Sequence, residues 1–376
     1  MRIKKILALA LATVMAIGCF AGCNKNKENE KGEKIMEIRD ISAKELVSEM
    51  KIGWNLGNTL DASSAEGLAA ETSWGNPKTR EDMMKLLKDS GFNVLRLPVT
   101  WDGHMDENYN VDPEWMARVK EIVDYGINND LFVILNTHHE EWYFPTKENK
   151  DEDIKQIKAL WSQIAEEFKG YDEHLIFEGF NEPRLRGTSN EWTAGTPEAQ
   201  AIVNDYAEAF YETVRNSGGN NGKRHLMLTG YGASSNASSM MALELPKDDD
   251  KIIVSVHAYL PYSFALDNNG TDQFDATKDA VIIDSLFMNL EYTFLAADVP
   301  VIIGEFGSLN KRNTEDRIEC VQYFLKMAKE YGVPCIWWDN GAIFGTGENF
   351  GLMSRGEIPA TWFFDEIVDA MMEAIK

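Results

Sequence analysis

LIFEGFNEP, residues 175–183, is an apolar run that ends in Asn181, Glu182 and Pro183. Leu175, Ile176 and Phe177 have the bias of a buried strand, and an ionised carboxylate beside such a strand carries a large desolvation cost. That placement makes sense where strand ends form a working surface. Seven further stretches share the same build: KIGWNLG (51–57), NVLRLPV (93–99), FVILNTHH (132–139), HLMLTGYG (225–232), IIVSVHAYLP (252–261), PVIIGEFG (300–307) and PCIWWDNG (334–341). Between the eight runs stand segments such as PEWMARVKEIVDYGI and DRIECVQYFLKMAKEYG, whose apolar residues recur at spacings of three and four and several of which close with Gly. Apolar strands alternating with amphipathic helices imply a parallel sheet covered by helices. Eight such repeats predict an α/β fold, a single closed (β/α)8 TIM barrel. The fifth unit is the weakest: only SSNASSMMALEL separates its two strands, so its helix must be short. The competing open, doubly wound sheet usually carries a Gly-rich phosphate loop after its first strand, and GWNLGN is not GxGxxG.

The 376 residues are 44% apolar and 11% aromatic, enough to bury a sizeable core in one large domain. Formal charge is −24; without the first 22 residues, which hold Arg2, Lys4 and Lys5, 34 basic against 61 acidic residues give −27. Such a field repels nucleic acid and anionic membranes, so neither is an expected partner. Arg2, Lys4 and Lys5 precede an apolar stretch, Ile6 to Phe20, that is shorter than the roughly 20 residues of a spanning helix. Residues 1–23 therefore read as an export signal, and Phe20-Ala21-Gly22-Cys23 resembles a bacterial lipobox with Phe20 in place of the usual Leu. The expected location is the cell surface, through a lipid on Cys23, or the medium. Residues 24–34, NKNKENEKGEK, read as a polar tether, and 35–376 as the catalytic barrel of a monomer. Cys320 and Cys335 are expected to be buried free thiols, and with no CxxC pair a zinc site is improbable.

In a (β/α)8 barrel the active site lies at the C-terminal ends of the strands. Those ends carry Asn55, Arg96, His138, His139, Asn181, Glu182, His257, Tyr259, Glu305, Trp337, Trp338 and Asp339. Eight strands about 4.8 Å apart, tilted about 36°, enclose a barrel roughly 15 Å across. Glu182 and Glu305, on the fourth and seventh strands, then bring their oxygens to about 5 or 6 Å if each reaches about 4 Å inward. A retaining glycosidase needs about 5 to 5.5 Å and an inverting one about 6.5 to 9.5 Å, so the spacing favours retention. Two carboxylates this close disfavour simultaneous ionisation: one is expected to be protonated near neutral pH, and Arg96 is the nearest cation to hold the other.

LIFEGFNEP and the GEFG around Glu305 resemble the signatures of glycoside hydrolase family 5. GWNLGNTLDA, TSWGNPKTRE, GFNVLRLPVTWDGH, ILNTHHE, SVHAYLP and WWDNG extend the resemblance over nearly the whole barrel, toward the branch with endo-β-1,4-glucanases and xyloglucan-active enzymes. The resemblance implies that Glu182 is the acid/base and Glu305 the nucleophile, supported by Arg96, His138, Asn181, His257, Tyr259 and Trp338. Asn181 would bond the sugar 2-hydroxyl, Tyr259 and Arg96 would hold Glu305, and His257 would orient Glu182. Asn55 and His139 stand beside these at strand ends, and Trp74, Trp101, His104, Trp142 and Tyr143 lie in loops expected to line the cleft.

The function so implied is retaining endo-hydrolysis of β-1,4-linked glucan of plant cell walls, such as cellulose, xyloglucan or mixed-linkage glucan, with no cofactor and no metal. The alternatives are a β-mannanase or xylanase of the same family and a non-catalytic glycan-binding protein. A metal-dependent hydrolase built on HHEE (138–141) is disfavoured, because barrel amidohydrolases use His-x-His on the first strand, and DNNGTDQFD (267–275) lacks the EF-hand spacing. Replacing Cys23 by Ser is expected to release the protein from cells into the medium; unchanged retention in the membrane fraction would count against the lipobox.

Overall fold

The computed structural model describes residues 35–376 and the backbone of residues 27, 28 and 34. The export segment and the lipobox at Cys23 lie outside the described residues. Within the tether, Lys27–Glu28 pairs antiparallel with Lys34–Ile35, so part of a segment expected to be unstructured is paired through backbone groups, which need no apolar side chain.

Eight parallel strands close the barrel in chain order: β1 (Ile52–Leu56), β2 (Val94–Leu97), β3 (Phe132–Asn136), β4 (Leu175–Glu178), β5 (Leu226–Leu228), β6 (Ile252–His257), β7 (Val301–Phe306) and β8 (Cys335–Asp339), with β8 pairing back onto β1. A first helix, α1 (Ala43–Glu49), precedes them. Helices α2 (Glu81–Ser90), α3 (Pro113–Asn128), α4 (Lys150–Glu167) and α5 (Pro197–Arg215) follow the first four strands, and α6 (Ala237–Met241) is the short fifth one. The turn α7 (Tyr262–Ala265) and α8 (Ala280–Thr293) follow β6, α9 (Thr314–Tyr331) follows β7 and α10 (Asp365–Ala374) follows β8. Cys320 and Cys335 are buried free thiols.

The period of two along each strand divides its side chains between two environments. Val94, Ile134, Ile176, Met227, Ile253, Ile302 and Ile336 form one buried cluster, and Ala43, Leu46, Val47 and Met50 of the α1 region join it. Their alternating neighbours, such as Leu95, Val133, Leu175 and Phe177, belong to the larger core shared with the helices. Helix α1 therefore plugs the end of the barrel remote from the strand C-termini. A capping box starts it: Ser42 accepts from the Glu45 backbone N–H, and the Glu45 side chain accepts from the Ser42 N–H.

Strand β7 departs from simple alternation, and the departure matters for chemistry. Val256 pairs with Ile303 but His257 pairs with Glu305, so Gly304 is an extra residue; β8 meets the same shift, with Cys335 opposite Ile303 and Trp337 opposite Phe306. Counting by twos from the inward Ile302 would turn Glu305 toward the helices. The bulge restores it to the barrel axis, as bulges near active sites do, and sends Phe306 into the outer core. Glycine is required there, because a Cβ at 304 would lie 2.9 Å from Ser255 Oγ and 3.2 Å from His257 Nε2. Leu46, fully buried under the barrel, tests the plug: Leu46→Ala is expected to cost about 2–5 kcal/mol in chemical denaturation, and an unchanged midpoint would show that α1 is not part of the folding unit.

Candidate active site

Above the apolar layer the barrel interior turns polar. Asn55, Arg96, Asn136, Glu178 and Ser255 are all buried and come from five strands. Arg96 is the centre of this layer. Its Nε donates to Glu178 Oε2 at 2.7 Å, Nη1 to Asn55 Oδ1 at 2.9 Å and to Glu305 Oε1 at 2.8 Å, and Nη2 to Asn181 Oδ1 at 2.8 Å. Burial works against its charge, but Glu178 and Glu305 outweigh burial and hold the guanidinium above its ordinary range. Glu178 is tied further by Asn136 Nδ2 at 3.1 Å and Ser255 Oγ at 2.6 Å. Asn55 in turn donates to the carbonyls of Gly304, Ile336 and Trp337, pinning β1 to β7 and β8.

Glu178 is one functional residue that the sequence reading missed. Its signal was present, since it stands two residues beyond the inward Ile176 in LIFEGF, a stretch otherwise free of charge.

The two carboxylates at the rim converge. A carboxylate oxygen of Glu182, one of Glu305 and a ring nitrogen of His257 all lie within 4.8 Å of one another. Glu305 is gripped on both oxygens: Arg96 holds Oε1, and the Tyr259 hydroxyl donates to Oε2 at 2.8 Å. Burial, then Glu305, push the Tyr259 phenol well up, so it stays a donor. Glu182 is held differently. His257 Nδ1 lies 2.8 Å from Glu182 Oε1, and His257 Nε2 faces Arg96 Nη2 at 3.4 Å. Because Nε2 meets a guanidinium donor, Nδ1 carries the proton toward Glu182 whether the ring is neutral or charged.

Like-charge repulsion predicts one carboxyl protonated near neutral pH, but Glu182 has a proton donor of its own in His257. Burial raises Glu182, but the His257 hydrogen bond outweighs it and the carboxyl is held below its ordinary value. Burial lowers His257, but Glu305 and Glu182 outweigh it and the ring is raised. Both directions favour a carboxylate at Glu182 facing an Nδ1–H donor, and like-charge repulsion, the basis of the expectation, is offset by that partner.

His138 is buried and kept neutral, first by burial and then by His139 and Arg96. Asn136 Nδ2 lies 3.1 Å from its Nδ1, and the amide can only donate there, which leaves Nε2–H free for a sugar hydroxyl. The His138 ring stacks on Trp338 at 5.6 Å with 2° between planes. Trp338 faces the cleft side, whereas Trp337 is in the outer core with Nε1 donating to Phe350 O. Asn181 uses its carbonyl oxygen on Arg96, so its amide nitrogen is the end left to donate.

The loop aromatics divide. Trp74 is 38% exposed and lies 5.6 Å from the His139 ring, as a cleft residue does. Trp142 is half-buried and donates to Glu140 Oε2. Trp101, His104 and Tyr143, expected to line the cleft, are buried instead. Trp101 donates to Asn136 O, His104 stacks on Trp115 at 3.7 Å with its pKa lowered to about 4 by burial, and the Tyr143 hydroxyl donates to His138 O. They seal the loops from beneath. Asp61, His138 and His139 also offer groups within 4.8 Å of one another, but the Asp61 oxygens already accept from the Asn58 and Thr59 N–H groups. A cavity of about 510 Å³ lined by Lys44, Met50, Tyr331 and Ile375 lies at the opposite end of the barrel and contains none of these groups.

A closed (β/α)8 barrel whose C-terminal rim joins two glutamates, each with its own proton partner, over an aromatic-flanked cleft defines a glycoside hydrolase. Residues 60–343 match the family model Cellulase (glycosyl hydrolase family 5), and the chain belongs to that family. It is similar to Endoglucanase B of Ruminococcus albus, with 52% identity over 98% of this chain and 96% of the relative. Among solved structures, a GH5-4 broad specificity endoglucanase from Ruminococcus champanellensis with bound cellotriose aligns with TM-score 0.87 and 44% identity, over 90% of this chain and 100% of that one. A xyloglucan-specific endo-β-1,4-glucanase, XEG5A from a metagenomic library, in complex with cellotriose, aligns with TM-score 0.85 and 38% identity, over 88% and 99%. Replacing Glu178 by Gln strips Arg96 of a fully buried partner, and breaking such a pair costs about 3–5 kcal/mol. Glu178→Gln is therefore expected to lower both the melting temperature and kcat; unchanged values would show that Arg96 needs only Glu305.

Proposed function

We propose that this protein is a retaining endo-β-1,4-glucanase in which Glu305 is the nucleophile and Glu182 the acid/base. The single observation that carries the reading is the convergence of the two carboxylates to within 4.8 Å, on the retaining side of the two spacings, with Arg96 and Tyr259 on one and His257 on the other. In the first step the protonated form of Glu182 gives its proton to the glycosidic oxygen as a Glu305 oxygen attacks the anomeric carbon. The C–O bond breaks, the leaving chain departs with a free hydroxyl, and a glycosyl ester forms on Glu305. In the second step the Glu182 carboxylate takes a proton from water, the water oxygen attacks the anomeric carbon from the vacated side, and Glu305 is released. Two inversions give net retention.

Arg96 balances the charge on Glu305 in the free enzyme and again as the carboxylate is released, and the Tyr259 hydroxyl keeps the carboxyl aligned. Asn181 donates toward the 2-hydroxyl of the reacting sugar, a bond that strengthens in the transition state. Trp338 and His138 offer a stacked apolar floor for sugar C–H faces. Two exposed aromatics, Trp74 beside His139 and Trp192 over Arg184, offer stacking faces to sugars beyond the reacting one, which fits binding within a chain. The relatives act on or bind β-glucans by their descriptions, which favours a plant cell-wall glucan over mannan or xylan. Action as a monomer, exported and held at the cell surface by a lipid on Cys23 or released, belongs to the same reading and rests on the sequence of residues 1–23.

Glu305→Ala is expected to abolish turnover and, with azide added, to yield a glycosyl azide of inverted configuration. A glycosyl azide of retained configuration would exchange the two roles, and undiminished turnover would end the proposal.

A further inference from the structure

Arg184 stands two residues after Glu182, and its guanidinium has three neighbours at once. Nη1 donates to the Glu182 carbonyl at 2.9 Å and lies 3.4 Å from Glu182 Oε2. Nε donates to Glu191 Oε1 at 3.2 Å, and the guanidinium carbon sits 4.0 Å from the centroid of the Trp192 ring. The other Glu191 oxygen accepts from the Gly187 N–H at 2.8 Å, which folds the loop back on itself. The Trp192 ring is covered on one face by this cation, yet the residue is 67% exposed. Its free face is an apolar, planar surface of the kind sugar rings stack on. Each Glu182 oxygen therefore has its own partner, Oε1 facing His257 inside the barrel and Oε2 facing Arg184 at the rim.

Resting on the assignment of Glu182 as acid/base, we infer that Arg184 is a positioning residue that joins the leaving-group side of the cleft, marked by Trp192, to the Glu182 carboxyl and favours its anionic form. Proton transfer to the glycosidic oxygen happens on the side where the departing chain lies, and Trp192, stacked on the guanidinium that faces Glu182 Oε2, has a free face to offer that chain. Once that chain has left, Glu182 must act as a base toward water, and a cation against Oε2 stabilises the form that does so. The other titratable and charged groups bearing on Glu182 are His257 and Tyr259 from the end of β6, Glu305 from β7, His139 and Tyr143 from the loop after β3, and Glu348 from the loop after β8. Arg184 supplies a permanent cation 3.4 Å from Oε2, and Glu191 partly neutralises it.

The test compares wild type, Arg184→Gln, Arg184→Lys and Glu191→Gln on two substrates across pH. A soluble β-1,4-glucan needs the acid in its first step. A dinitrophenyl cellobioside has a leaving group that departs without a proton, so its slow step is the base-assisted hydrolysis of the glycosyl ester. For Arg184→Gln the alkaline limb of kcat/KM on the glucan is expected to rise by about one pH unit. Its kcat on the aryl cellobioside is expected to fall by up to about tenfold on the acid side, where one unit changes the ionised fraction by that factor. Arg184→Lys should restore both, and Glu191→Gln should move the alkaline limb down, which also keeps the inference testable if Arg184→Gln does not fold. Equal losses on both substrates at every pH, or unmoved limbs in all three variants, would overturn the inference. Failure of the wild type to cleave either substrate would instead overturn the proposed function.

Discussion

The buried Arg96 guanidinium is the constraint on which the rest of this active site depends. A charge placed inside a barrel, above a floor of Ile and Val, is tolerable only if its donors are met and its field balanced. Glu178 and Glu305 balance it, while Asn55 and Asn181 take further hydrogen bonds. The partners come from β1, from β4 and the loop that ends it, and from β7, so satisfying one side chain fixes the relative positions of these strands and β2. The nucleophile is held as a consequence of burying the arginine.

The acid/base is organised by a second, softer device. Glu182 stands at the rim and accepts a hydrogen bond from His257 rather than facing a permanent cation inside the barrel. A retaining mechanism asks one residue to give a proton and then take one, whereas it asks the nucleophile only to stay charged, aligned and able to leave. The Gly304 bulge links the two devices. Without the extra residue in β7, Glu305 would face the helices, and with a side chain at 304 the His257 ring would be displaced.

Much of this was legible in the sequence because it depends on order and period. Eight apolar runs separated by amphipathic segments yield the barrel, and polar residues at the ends of those runs yield Arg96, Glu182, His257 and Glu305. What the sequence hid depends on three-dimensional packing. Glu178 is concealed in an apolar run, and only its phase relative to Ile176 betrays it. The β7 bulge leaves Glu305 at the strand end in either register, so sequence order cannot reveal which way it points. Trp101, His104 and Tyr143 sit in loops where aromatics are equally able to face a ligand or seal the core, and burial decided for the core. The capping box of helix α1 at Ser42 and Glu45 is a local feature, but the helix's role as a plug follows only from closure of the barrel. The pairing of Glu182 with His257, which lowers the carboxyl where repulsion between the glutamates would raise one, is a matter of 2.8 Å rather than of composition.

The central claim is that two convergent glutamates carry out a double displacement. The anomeric configuration of the sugar end released at the earliest times, followed by proton NMR before mutarotation, tests it most directly. The account predicts that the β-anomer appears first and decays toward the equilibrium mixture. Initial release of the α-anomer would mean single displacement by water and would contradict it.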